Sequence, residues 1–156
     1  MKDLDWSNLS FGYRQTDYNV RCYYRNGKWG EIEVCSDEYL KLHMAATCLH
    51  YGQEAFEGLK AYRCPDGKVR VFRMDENAAR LQSTCRGIMM PEVPTEMFEE
   101  MVKKVVRLNQ EWIPTYESGA TLYIRPLLIG TSAQVGVHPA TEYCFLIFVT
   151  PVGPYF

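Results

Sequence analysis

Apolar positions alternate with polar ones in some stretches of the chain and recur at helical spacing in others. Tyr18 to Tyr24 is rich in aromatic and β-branched residues, and Trp29 to Val34 alternates apolar and polar. Asn26-Gly27 lies between them and supplies the positive φ angles of a tight turn, so the stretch predicts a β-hairpin. A second hairpin is predicted from Leu59 to Arg63 and Lys68 to Arg73. Its turn is Pro65-Asp66-Gly67, where proline fixes one φ and glycine allows the reversed one. In the second arm Val69, Val71 and Arg73 share one face, and Arg70 and Phe72 the other.

Helical spacing appears twice. Ala78, Leu81, Cys85 and Ile88 predict a helix that starts at Asp75, whose carboxylate is placed to cap free backbone N–H groups. Met97, Met101, Val105, Leu108 and Trp112 form the apolar stripe of a second helix, opened by Pro94-Thr95 with Thr95 as cap and ended by Pro114. Its glutamates come early and its Lys103, Lys104 and Arg107 late, the order that suits the helix dipole. Thr121 to Leu128 and Tyr143 to Thr150 read as two further strands. The second is apolar on both faces, which puts it in the middle of a sheet. The expected fold class is α/β of the α+β type: a mostly antiparallel sheet packed with two main helices. Residues 1–150 read as one domain and 151–156, Pro151 to Phe156, as the start of a linker. A chain that stops there, just after a central strand, reads as cut rather than finished.

Composition narrows the function classes. The chain has 156 residues, 47% hydrophobic and 23% charged, values of a folded protein of about one domain. Seventeen basic residues against nineteen acidic ones give a net charge of −2, so there is no field to hold nucleic acid or an anionic membrane. The longest strongly apolar run, Cys144 to Val149, is far short of the ~20 residues of a membrane-spanning helix. The N-terminus lacks the apolar core of a signal peptide, and a cytoplasmic protein is expected. The six cysteines include no C-x-x-C pair and no zinc-finger spacing, so they read as free, mostly buried thiols.

Candidate chemistry is sparse. There is no Gly-rich phosphate loop, no H-E-x-x-H and no G-x-S-x-G. His43 and His50 fall on one helix face but read as surface or hydrogen-bonded histidines, and no metal site is expected. Arg80 lies off its helix's apolar stripe, as a solvated arginine or as a two-pronged anion clamp. Arg125 is odder, because it sits inside the apolar strand Leu122-Tyr123-Ile124-Arg125-Pro126-Leu127-Leu128. It shares a face with Tyr123, while Leu122 and Ile124 take the other. A charge there is costly unless paired, either with a buried carboxylate or with the carboxylate of a ligand.

Several segments resemble those of a known family. Leu49-His50-Tyr51-Gly52-Gln53-Glu54-Ala55-Phe56-Glu57-Gly58-Leu59-Lys60-Ala61-Tyr62 is similar to a signature of branched-chain aminotransferases. So are Phe72-Arg73 with Asn77-Ala78-Ala79-Arg80-Leu81, Leu122 to Gly130 with Gly136-Val137, and the ending Pro151 to Phe156. The resemblance runs in order from Phe11 onward, to the N-terminal, smaller domain of a fold-type IV pyridoxal-phosphate enzyme. It implies transfer of the amino group of leucine, isoleucine or valine to 2-oxoglutarate, with pyridoxal 5'-phosphate as electron sink. It further implies branched-chain amino acids, glutamate and 2-oxo acids as small-molecule partners, and a homodimer or larger self-association.

By motif position, Arg80 matches the arginine that binds the cofactor phosphate. Tyr123 matches the tyrosine at the substrate α-carboxylate, and Arg125 the arginine that receives the side-chain carboxylate of glutamate. Phe11, Tyr51 and Phe56 match walls of the substrate pocket, and Val137 a pocket residue on a loop. The Tyr51 and Val137 counterparts reach into the neighbouring subunit's site. The family's cofactor-bearing lysine belongs to a larger C-terminal domain, and no lysine here matches it. No catalytic residue is therefore expected in this chain, which alone should be inactive and hold no cofactor. Alternatives are a D-amino-acid aminotransferase or aminodeoxychorismate lyase on the same fold, or a stand-alone binding module without catalysis.

Overall fold

The computed structural model describes residues 1–154. Eight strands form one sheet, and every pairing between them is antiparallel. The strands are β1 (Asn19–Arg25), β2 (Lys28–Trp29), β3 (Glu33–Cys35), β4 (Glu54–Phe56), β5 (Leu59–Arg63), β6 (Val69–Val71), β7 (Thr121–Gly130) and β8 (Tyr143–Val152). Their order is β2-β1-β8-β7-β5-β6, with β3 added to β1 and β4 to β7. The ten-residue strands β7 and β8 pair along their whole length, from Thr121↔Val152 to Gly130↔Tyr143, and form the middle of the sheet.

The helices are α1 (Thr47–Tyr51), α2 (Met74–Gly87) and α3 (Thr95–Leu108). The main core holds Leu81 and Cys85 of α2, Phe98, Met101, Val102 and Val105 of α3, and Phe145, Ile147 and Val149 of β8. The alternate β8 residues Cys144 and Leu146 belong to a second cluster, with Leu40 and Leu42 packed against it. Both faces of β8 are thus covered, which is why the strand is apolar throughout.

The elements depart from expectation at their ends. Trp29 to Val34 is not one strand: β2 stops at Trp29 and β3 starts at Glu33. The Gly30 N–H still reaches the Tyr23 carbonyl at 2.8 Å, and Ile32 packs against the core. The second hairpin's outer arm ends at Val71, so Arg73 does not share a strand face with Val69 and Val71. Arg73 is the N-cap of α2 in the left-handed region, at φ 52°, and α2 starts at Met74 with no side-chain cap from Asp75. Thr95 is the first helical residue of α3 rather than its cap, because its hydroxyl accepts from Gln82 Nε2 at 3.1 Å and ties α2 to α3. Ile88 falls just outside α2 and is exposed, and Trp112 sits in a separate short turn, Gln110–Trp112. Strand β8 continues through Pro151 and Val152, the first residues expected in the linker; Tyr155 and Phe156 lie outside the described residues.

A proline in a central strand needs an explanation, since it lacks the N–H of a ladder bond. Pro126 points its carbonyl at the break between β4 and β5, where it accepts from the Glu57 N–H at 3.0 Å. The missing donor thus falls where the ladder is already interrupted. On the face turned away from α2 and α3, β7 carries Tyr123, Arg125 and Leu127. The pairs Phe56↔Leu127 and Lys60↔Tyr123 put Phe56 and Lys60 on that same face.

Candidate functional site

Arg125 and Tyr123 stand two residues apart on β7 and are bonded to each other. Arg125 donates to the Tyr123 hydroxyl from Nε at 3.2 Å and from Nη2 at 2.8 Å. Its guanidinium lies 4.4 Å from the centroid of the Phe56 ring and 5.2 Å from that of Tyr123, the geometry of a cation on aromatic faces. Phe11 meets the Tyr123 ring edge-on at 5.2 Å. A hollow of about 180 Å³ opens among Phe11, Tyr123, Arg125, Phe148 and Thr150. Among the described residues no carboxylate pairs with Arg125. Of its two sequence readings, the buried-carboxylate partner is therefore not met. Gly58 makes room for this arrangement, because a Cβ there would lie 2.5 Å from the Tyr123 hydroxyl.

Arg80 stands on α2 across a second hollow of about 600 Å³, which also touches Phe56, Lys60, Phe72 and Tyr123. It is neither simply solvated nor free. Nε donates to both oxygens of Glu57 at 3.0 Å, and Nη2 donates to Oε1 at 2.6 Å. Asn77 Nδ2 adds a bond to the same Oε1 at 3.0 Å. The Glu57 side chain is only 4% exposed and that of Arg80 is 68% exposed, so the acid is the buried anchor and the guanidinium the exposed tip. The hydrogen bonds and charge of Glu57 raise the Arg80 pKa above its already high ordinary value. The Nη1 end of the fork carries none of these bonds. The residues sequence reasoning left without a role are Glu57, Asn77, Gly58 and Lys60; the first cue to them is an acid and a glycine between two short strands.

Tyr51 and Val137 lie elsewhere. Tyr51 ends α1, and its hydroxyl donates to the Val135 carbonyl. Val137 is on the loop between β7 and β8 and is 83% exposed. Neither lines the hollows at Arg80 and Arg125. They flank a surface on which Met44, Leu49 and Val135 are also exposed. His43 Nδ1 accepts from the Ala45 N–H at 3.0 Å, and His50 Nε2 pairs with the Met44 carbonyl at 2.8 Å. Among the described residues no group of three potential ligands could hold a metal ion.

Comparison with known proteins supplies what the geometry alone does not. No protein-family model matches the chain. The whole chain is 51% identical to a branched-chain-amino-acid aminotransferase of Haemophilus influenzae. The chain belongs to the branched-chain aminotransferase family. It spans 46% of the length of that relative, about half. The solved structure of an Escherichia coli branched-chain amino acid aminotransferase matches 90% of this chain with a TM-score of 0.70 at 28% identity, over 41% of that chain. The curled antiparallel sheet with its helices is the α+β small domain of branched-chain aminotransferases. Another branched-chain amino acid aminotransferase, also 28% identical, was solved complexed with N-(5'-phosphopyridoxyl)-L-glutamate; it matches 81% of this chain and 40% of that one, with a TM-score of 0.58. That ligand joins the pyridoxyl phosphate group to glutamate. The Arg80 hollow fits its phosphate end: an exposed guanidinium is fixed on one edge by a buried acid and leaves N–H groups for an anion.

Proposed function

We propose that this chain is the small domain of a transaminase that moves amino groups between leucine, isoleucine or valine and 2-oxoglutarate. The observation that carries the reading is Arg125, a part-buried cation over an aromatic ring that, among the described residues, bonds a tyrosine hydroxyl and no carboxylate. Such a group favours a carboxylate from outside the fold, and the apolar walls beside it favour a branched side chain. Bound pyridoxal phosphate would supply the electron sink, held at its phosphate by Arg80.

In this reading Tyr123 binds the substrate α-carboxylate and Arg125 the side-chain carboxylate of glutamate. Phe11 and Phe56 wall the space for a leucine side chain and keep water from it. Tyr51 and Val137 serve the neighbouring subunit's site in a homodimer, which fits the exposed apolar surface around them. In the family the cofactor lysine belongs to a larger C-terminal domain, and no lysine of this chain matches it. The chain alone, without that lysine, keeps no covalently held cofactor and turns over no substrate.

The test is a chimera in which this chain replaces the matched segment of the Haemophilus influenzae relative. The chimera should transaminate leucine with 2-oxoglutarate, while the isolated chain should be inactive and scatter light as more than one copy. A folded, cofactor-loaded chimera inert toward all three branched-chain amino acids would overturn the reading.

A further inference from the structure

We propose that Lys60 is a second anion-binding residue of the Arg80 hollow, supplying the net positive charge that holds a phosphate monoester there. The inference rests on the reading of Arg80 as a phosphate ligand and adds a residue to it. Arg80 does not bring a free charge to the hollow, because Glu57 lies against its fork at 2.6 to 3.0 Å. The pair is neutral as a unit. It offers directed N–H groups but little net attraction for a group that carries ≈ −1.5 to −2 charges at pH 7. A further cation is needed, and the hollow contains one.

Lys60 lies on β5 directly opposite Tyr123, on the same sheet face as Tyr123 and Arg125. It lines the hollow together with Arg80, and among the described residues no aspartate or glutamate lines it. Lys60 is exposed and makes no ion pair among the described residues. Arg125, on the same face, does not line the hollow and is turned onto Phe56 and the Tyr123 hydroxyl. An ammonium on a flexible four-carbon stem acts as a mobile point charge, which suits it to follow an anion whose place is set by the rigid fork of Arg80.

The experiment titrates inorganic phosphate into the 156-residue chain while the side-chain N–H signals of Arg80 are followed by NMR. Lys60→Gln should weaken phosphate binding about five- to tenfold, a factor suited to a partly solvated charge. Lys60→Arg should stay within about twofold of wild type, and added salt should erase the difference between wild type and Lys60→Gln. Lys60 is exposed, so its variants should keep the wild-type backbone amide spectrum. If Arg80 responds to phosphate with equal affinity in wild type and Lys60→Gln, Lys60 is not a ligand and the reading of Arg80 stands. If Arg80 does not respond in wild type, both fall together.

Discussion

At the scale of single residues, chemistry is decided by which charges are paired inside the fold. Glu57 can be buried because it accepts from Asn77 and three times from Arg80. Arg125 has no such acid among the described residues. The oddity of Arg125 was legible in the sequence, since a charge in an apolar strand stands out. The partner of Arg80 was not, because a glutamate 23 positions away is brought beside it only by the packing of α2 on the sheet. The thiols offer a test at this scale. Burial pushes Cys85 and Cys144 up to about 11. A folded-state pKa above the ordinary value of 9.0 means that the fold keeps these protons longer than the unfolded chain does. Their contribution to stability is present below pH 9 and is lost as the pH rises toward about 11. Denaturant midpoints should fall over that window, and alkylation of the native chain at pH 8 should reach the partly exposed Cys35 and Cys64 first. Native-state labelling of Cys144 as fast as Cys35, read by mass spectrometry, would contradict this.

At the scale of elements, period and turn chemistry located the hairpins and both long helices but not their ends. The cap of α2 is Arg73 rather than Asp75, and Thr95 bonds Gln82 instead of its own helix end. Side chains drawn into tertiary contacts leave no trace in local sequence. Elements as short as α1 and β4 carry too few residues to show a period. The end of α3 shows what sequence reading missed. Asn109 is fully buried there; its Oδ1 accepts from the Asp17 and Tyr18 N–H groups at 3.1 Å, and its Nδ2 donates to the Tyr18 and Val105 carbonyls. It staples the helix to the segment leading into β1. Asn109→Ala strands several buried groups at once and should cost about 2–4 kcal/mol in urea unfolding. A cost under about 1 kcal/mol would mean that water replaces those bonds.

At the scale of the molecule, the sheet separates support from chemistry. Helices α2 and α3 bury one face, and the other presents Phe56, Lys60, Tyr123 and Arg125. No helix among the described residues is long and apolar enough to cross a membrane. The sequence motifs pointed to Tyr123 and Arg125 together, and the structure brings Phe11 and Phe56 against them while Tyr51 and Val137 sit apart. The central claim is that Arg125 receives the side-chain carboxylate of glutamate beside walls that also take leucine. The most direct measurement is kcat/KM for glutamate and for leucine in the Haemophilus influenzae chimera with Arg125→Ala. Removing the guanidinium withdraws the partner of a carboxylate, a loss of about 2–5 kcal/mol, but leaves the apolar walls in place. The ratio for glutamate over leucine should therefore fall by roughly tenfold or more. Equal loss for both substrates, or loss for leucine alone, would contradict the claim.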